Sequence, residues 1–184
     1  MIFRISVVGD PGVGKSTLLF AYALEHNPFS IPDVYKKFFT QVKLGDKIYG
    51  TVISSHSTVE GLDVSTAADV VILCFDVRRS ETLRSAQETW IPAIKSTTPS
   101  AQILLAGLKG DLREIYKTHK RLYFSIVGEK PVKKKTARKV TNTFGNGWYM
   151  ECCGYRAHEV TALLERAVKI ALVPKEKNTM CCVM

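Results

Sequence analysis

The octapeptide Gly9-Asp10-Pro11-Gly12-Val13-Gly14-Lys15-Ser16 constrains this chain more than any other feature. It has the spacing G-x-x-x-x-G-K-[ST] and lies between an apolar, β-branched run, Ile2 to Val8, and a segment of helical periodicity. In that setting the glycines let successive amide N–H groups wrap a phosphate, and the start of the helix adds the positive end of its dipole. Gly12, Val13, Gly14, Lys15, Ser16 and Thr17 are the expected phosphate-binding residues. Lys15 is expected to reach the outer phosphates and Ser16 to offer its hydroxyl to magnesium.

Further apolar runs recur at Phe38 to Leu44, Ile48 to Ile53, Val70 to Phe75, Ile103 to Ala106 and Trp148 to Met150. Helical periodicity falls between most of them, over Lys15 to Glu25, Glu81 to Lys95, Val132 to Thr143 and His158 to Leu172. This alternation predicts an α/β fold. The continuously apolar VVILCF and ILLA segments suit strands of a mainly parallel sheet covered on both faces. Gly45-Asp46 between two strand-like runs predicts a hairpin, which places one antiparallel strand at the edge of a six-stranded, mostly parallel sheet. Right-handed crossovers put helices on both faces and ligands at the carboxyl ends of the strands.

Base choice is expected from the loop after Ile103 to Ala106, Gly107-Leu108-Lys109-Gly110-Asp111. A carboxylate at Asp111 can accept two hydrogen bonds from the N1–H and N2–H₂ edge of guanine, which adenine does not offer.

At 184 residues the chain suits one domain, and 46% apolar with 23% charged residues is the composition of a globular protein. Twenty-six basic against 17 acidic side chains give a net charge of +9, which favours anionic partners. The basic residues do not interleave with aromatics, and Lys133-Lys134-Lys135 with Arg138 and Lys139 reads as a solvated helix start, so no nucleic-acid partner is expected. MIFRISVV is too short for a signal peptide and leads straight into the glycine loop, so an intracellular location is expected. The spacings of Cys74, Cys152, Cys153, Cys181 and Cys182 match neither a disulfide framework nor a zinc site. No apolar run is long enough to span a bilayer, so any membrane association is expected to be peripheral.

Taken together, these segments resemble a Rho/Rac-type small GTPase over nearly the whole chain. Pro32 to Lys47 follow the family's effector loop and hairpin without a gap. Ser85 to Arg113, SAQETWIPAIKSTTPSAQILLAGLKGDLR, matches the stretch from the third helix through the base-reading loop. WYMECCGYR parallels the family's E-C-S-A loop. The resemblance implies a P-loop small GTPase (G-domain) fold over 1–173, with a Rho-type insert helix at about 114–128 inside Asp111 to Pro131, and a flexible tail over 174–184. It also implies GTP or GDP with Mg²⁺ as ligands, and Lys109, Asp111, Cys152, Cys153 and Gly154 as guanine-binding residues. Pro32, Asp33, Val34, Tyr35, Lys36 and Lys37 would be the switch and effector residues, with Asp33 a possible second magnesium ligand.

The chain departs from the family's pattern where the chemistry is done. By alignment Asp33 replaces the switch I Thr, and Ser55, Thr58 and Val59 replace the Asp, Gly and Gln of D-x-x-G-Q. No catalytic residue is therefore assigned, because Val59, at the usual Gln position, can neither orient nor accept a proton from water. His56 is the nearby alternative for positioning water. Leu108 stands where the family has Asn or Thr, which removes a polar tie to the P-loop, and Cys153-Gly154 stands for Ser-Ala. The aromatic that leans on guanine falls near His26 or Asn27, with Phe29 as a substitute. Pro11 crowds the place where an arginine finger enters, and Lys36-Lys37 replace an acidic or amide pair, which implies altered partner choice.

Cys181-Cys182-Val183-Met184 reads as a CaaX box with prenylation at Cys181, supported by Lys169, Lys175 and Lys177 as a modest basic patch. The expectation is an atypical Rho-family protein that hydrolyses GTP slowly or not at all. It is expected to be a monomer on the cytoplasmic face of the plasma membrane or an endomembrane, with a cytosolic pool. Its implied partners are effectors of the actin cytoskeleton bound through switch I, exchange factors and membrane-extraction chaperones. Two rival expectations are a pseudo-GTPase scaffold that does not need nucleotide, and a working hydrolase whose water-positioning groups come from a partner.

Overall fold

The computed structural model describes residues 1–26, 37–62, 68–145 and 147–173. Six strands form one sheet, in the order β2 (Phe38–Leu44), β3 (Lys47–His56), β1 (Ile2–Val8), β4 (Val70–Asp76), β5 (Gln102–Leu108), β6 (Tyr149–Cys152). Strands β1, β4, β5 and β6 run parallel, β1 also pairs in parallel with β3, and β2 is antiparallel to β3 at the edge. The hairpin turns at Gly45, whose φ of +57° is the left-handed conformation that a glycine adopts without steric cost.

Period-two alternation divides the strand residues between two buried layers. Val7, Ile72, Cys74, Leu104 and Ala106 pack on one face against Leu18, Leu19 and Tyr22 of α1 (Lys15–His26) and Val160, Leu163, Leu164 and Val168 of α7 (Ala157–Ala171). Val8, Val71, Leu73, Phe75 and Leu105 pack on the other, against Leu83 of α2 (Ser80–Ser85), Trp90, Ile91 and Ile94 of the π-helical turn Ala86–Trp90 and α3 (Ile91–Thr97), and Ala137 and Val140 of α6 (Lys134–Thr141). Every residue of β4 is buried, as a strand covered on both faces requires. Each such Val, Leu or Ile contributes about 1.5–3 kcal/mol against exposure.

Several boundaries differ from the sequence reading. The segment read as one helix over Glu81 to Lys95 contains a π turn closed by the Ile91 N–H on the Ala86 carbonyl. Pro92, next in the chain, has no N–H to continue the i→i−4 ladder. α6 starts at Lys134 rather than Val132: Lys133 is extended at φ −66°, ψ 136°, and the Val132 N–H donates to the Val77 carbonyl at 2.8 Å. Lys134 pairs with Glu151 at 3.2 Å. Where the sequence suggests one helix at about 114–128 there are two, α4 (Leu112–Thr118) and α5 (Lys120–Val127), separated by His119 at φ −132°, ψ 59°. The break lets Tyr116 meet the buried Tyr123 edge-on, with ring centroids 5.1 Å apart. No described helix is long and apolar enough to cross a membrane.

Candidate nucleotide site

The chain leaves β1 toward β3 on one side and β4 on the other, so the carboxyl end of β1 sits where the strand order reverses. Crevices form at such points in open α/β sheets. The glycine loop lies there. Gly9 has φ +142°, and a Cβ on it would stand 2.3 Å from the Cys74 carbonyl oxygen, so only glycine lets the loop lie this close to β4. Burial pushes the Cys74 thiol up to about 12, and it packs as a small apolar side chain.

Lys15 opens α1 with 4% exposure, and its Nζ donates to the carbonyls of Gly9 (2.7 Å) and Asp10 (2.9 Å). Burial pulls the ammonium below its ordinary value, opposed by Cys74 and Asp10. The ammonium is thus held over the loop by two backbone oxygens. Val13 is fully buried under the loop, and the Leu18 N–H closes the first helical turn on the Gly14 carbonyl at 3.1 Å. The Ser16 hydroxyl is half-buried and makes no hydrogen bond among the described residues.

A cavity of about 350 Å³ opens beside this loop, lined by Gly14, Thr17, Lys109, Asp111, Gly154 and Tyr155, with Arg78, Leu108 and Leu112 completing the wall. The structure therefore brings Lys109, Asp111 and Gly154 to the phosphate loop from positions 95 to 140 residues further along the chain. Lys109 is the one non-glycine residue with positive φ (+64°) among the described residues. Such backbone persists only where its surroundings over-determine it. Here they do: Lys109 Nζ donates to the Gly12 carbonyl (2.9 Å) and to Asp76 Oδ2 (2.8 Å).

Cys152 and Cys153 are buried and do not line the cavity. They hold its wall instead: the Cys152 carbonyl accepts from the Gly110 N–H at 3.4 Å, and the Cys153 N–H donates to Glu159 at 2.7 Å. Burial and the adjacent Asp111 carboxylate push the Cys153 thiol up. Behind Asp111, Arg113 chelates Glu151 through Nε at 2.8 and 2.9 Å and through its Nη2 at 2.7 Å, which fastens α4 to β6. Tyr149 donates its hydroxyl to the same carboxylate.

The described residues aligned with the resembled family's second switch lie at the end of β3 and in a short 3₁₀ turn. Ser55 and His56 belong to β3, in register with Val7 and Val8 of β1. His56 Nε2 lies 3.2 Å from Ser54 Oγ. Thr58 caps a 3₁₀ turn, Val59–Gly61, and Val59 packs against the core layer containing Val8 and Leu73. Lys37 is exposed ahead of β2. Pro32, Asp33, Val34, Tyr35, Lys36, Asn27, Phe29, Lys175, Lys177 and Cys181 lie outside the described residues.

Asp76, Arg78, Leu112 and Tyr155 at the site escaped the sequence reading. Asp76 had a signal, as the one charge ending an otherwise apolar buried strand, and Arg78 follows it in the turn. Tyr155, 85% exposed at the cavity rim, had none. Compared with known protein families, residues 4–172 match the model described as Ras family.

Proposed function

Because the chain belongs to the Ras family and is a small GTPase domain, we propose that it binds GTP or GDP with magnesium in the cavity beside Lys15, and hydrolyses GTP slowly or not at all. The observation that carries this reading is the convergence of Gly14, Thr17, Lys109, Asp111 and Gly154 on one 350 Å³ space beside the loop that holds Lys15. Lys109 would flank the base, Asp111 would accept from its N1–H and N2–H₂ edge, and the loop amides, Thr17 and Lys15 would take the phosphates. The half-buried Ser16 hydroxyl at the start of α1, with no hydrogen-bond partner among the described residues, fits a magnesium ligand. Magnesium would supply charge neutralisation between the outer phosphates.

Slow hydrolysis rests on Val59, which has no hydrogen-bonding group and packs on the core. The finer assignment, an atypical Rho-type protein prenylated at Cys181, held on the cytoplasmic face of a membrane and acting on cytoskeletal effectors, rests on the sequence resemblance. The rival is a scaffold that keeps the fold and dispenses with nucleotide. A buried lysine directed over an amide loop and a strained Lys109 favour the nucleotide reading, since a scaffold has no physical need for either.

The experiment is to denature the purified protein and quantify released nucleotide per protein by chromatography, with and without prior magnesium chelation. Stoichiometric GTP supports binding with disabled hydrolysis. Mostly GDP means turnover survives or GDP is preferred, and no nucleotide, with no uptake of added GTP or GDP, favours the scaffold.

A further inference from the structure

Strand β4 is apolar from Val70 to Phe75 and then ends in a carboxylate, Asp76, with 0% exposure. A charge taken out of water at that cost is kept only where partners surround it. Asp76 has them in number. Oδ1 accepts from the Arg78 backbone N–H at 2.9 Å and from Arg78 Nε at 3.0 Å, and Oδ2 accepts from the Arg78 Nη2 at 2.7 Å and from Lys109 Nζ at 2.8 Å. Arg79 Nε stands 3.5 Å from Oδ2. Burial pushes the carboxyl up, but the Arg78 and Lys109 hydrogen bonds outweigh it and hold it below the ordinary value.

Lys109 is the partner that matters for the cavity. Its ammonium spans Asp76 and the Gly12 carbonyl, so one side chain joins the end of β4, the phosphate loop and the base-reading loop. The preceding residue cannot do this. Leu108 is buried, and its Cδ1 would lie 3.5 Å from a Cβ on Gly14, an apolar contact with the same loop and no hydrogen bond. An ammonium with three donors and four flexible methylenes needs a fixed acceptor to hold one direction. Asp76 provides it from a rigid strand end.

We propose that Asp76 is a positioning residue for nucleotide, acting through Lys109 to fix the base-reading loop against the phosphate loop in place of the polar tie absent at Leu108. The inference deepens the guanine-nucleotide reading and rests on it. Asp76 touches no ligand itself; its effect is carried by the ammonium it orients.

The test is a double-mutant cycle on the full chain, with affinity for fluorescent N-methylanthraniloyl-GDP and the thermal midpoint of the nucleotide-free protein measured in parallel. Asp76→Asn keeps the shape and one acceptor oxygen but loses the charge, and is expected to weaken GDP about tenfold, the size of one charge-assisted bond. Lys109→Ala is expected to weaken GDP at least as much, and adding Asp76→Asn to it should change affinity less than about twofold, because the two act as one unit. The thermal midpoint should fall on introducing Asp76→Asn in both backgrounds, since Arg78 loses its charged partner in each, and by more in the wild type, where Lys109 loses it too. Asp76→Asn/Arg79→Gln, compared with Arg79→Gln alone, removes one cation with the carboxylate's charge and keeps the measurement possible should the single variant fold poorly. It is expected to show the same loss. Wild-type affinity in the Asp76 variants, or losses that multiply with Lys109→Ala, overturn the inference alone. A wild-type chain that takes up no GDP overturns the nucleotide reading and this inference with it, and is recognised before any variant is made.

Discussion

Trp90 donates its indole Nε1–H to Oδ1 of Asp10 at 2.8 Å, joining the third helical segment to the glycine loop across 80 residues of chain. Ser85 Oγ donates to the same oxygen, also at 2.8 Å. The two donors are five residues apart, one turn of the π-helical segment between them, and that irregularity sets both toward the loop. Ser85→Ala should therefore lower the stability of the whole domain by about 1.5 kcal/mol, the low end for a bond to a charged group because the pair is only part-buried. Urea unfolding of the nucleotide-free protein checks it. An unchanged midpoint would mean that water replaces the hydroxyl at no cost.

Lys15→Ala tests the site from the phosphate side. The buried ammonium is held by two loop carbonyls, so its position does not depend on a bound phosphate. Removing it should weaken GDP binding at least about tenfold, the equivalent of one charge-assisted bond of about 1.5 kcal/mol. Equilibrium dialysis measures that loss. Partner proteins that bind the variant as well as they bind the wild type would support the scaffold.

Acid should loosen the wall behind Asp111. Burial pushes the Glu151 carboxyl up, but the hydrogen bonds from Arg113 and Tyr149, with Lys134 nearby, hold it below its ordinary value of 4.5. Its contribution to stability is complete above that pH and is lost as pH falls through the lower folded value. Asp76 and Glu114 are displaced in the same direction and add to the same acid limb. Glu151→Gln should cost about 3 kcal/mol near neutrality, as breaking a buried pair does, and should flatten the fall in stability below about pH 4.5. Unfolding free energies measured from pH 7 down to 3 decide it. An unaltered pH slope would show that Glu151 keeps its unfolded pKa.

Gly154 is the chain's substitution for an alanine in the resembled family, and its surroundings explain it. A Cβ there would stand 3.2 Å from the Leu18 backbone nitrogen and 3.4 Å from Thr17 Cγ2, in the first turn of α1. Helix backbone cannot yield as a side-chain tip can, so Gly154→Ala should destabilise by about 1–3 kcal/mol, the usual cost of overpacking. Thermal unfolding of the variant would contradict this if the midpoint stayed the same or rose.

Local patterns made much of this molecule legible. β1 and β2 fall at Ile2–Val8 and Phe38–Leu44 as their apolar runs predict, and the Gly45-Asp46 hairpin and six-stranded mixed sheet follow from the alternation of segments. β3 runs three residues further than its apolar part, through Ser54, Ser55 and His56, because pairing with β1 and the Ser6–Ser54 contact at 3.1 Å sustain a polar strand end. Hydropathy carries no trace of that. The phosphate loop was readable because its function is contained in eight consecutive residues. Asp76 and Lys109 are 33 residues apart, and their pairing arises only when β4 and β5 lie side by side.

Val59 distinguishes two origins for the slow hydrolysis proposed above, a missing functional group and a changed backbone path. Restoring the family's glutamine at this position would return hydrolysis if the side chain faced the phosphates and lacked only a functional group. In the structure Val59 packs against the core layer under a 3₁₀ turn, anchored by the Leu62 N–H on its own carbonyl at 3.0 Å. A glutamine there either buries its amide without partners or leaves the core and gives up the valine's contacts. Val59→Gln is therefore expected to cost about 1 kcal/mol or more, in line with burying an unsatisfied polar group, and to leave single-turnover GTP hydrolysis at the wild-type rate. Paired measurements of the thermal midpoint and of phosphate release decide between the two. A rate rising tenfold or more would place the side chain at the phosphates and make one substitution the sole cause of slow hydrolysis. An unchanged rate with a lowered midpoint would assign the deficit to the path of the backbone after β3.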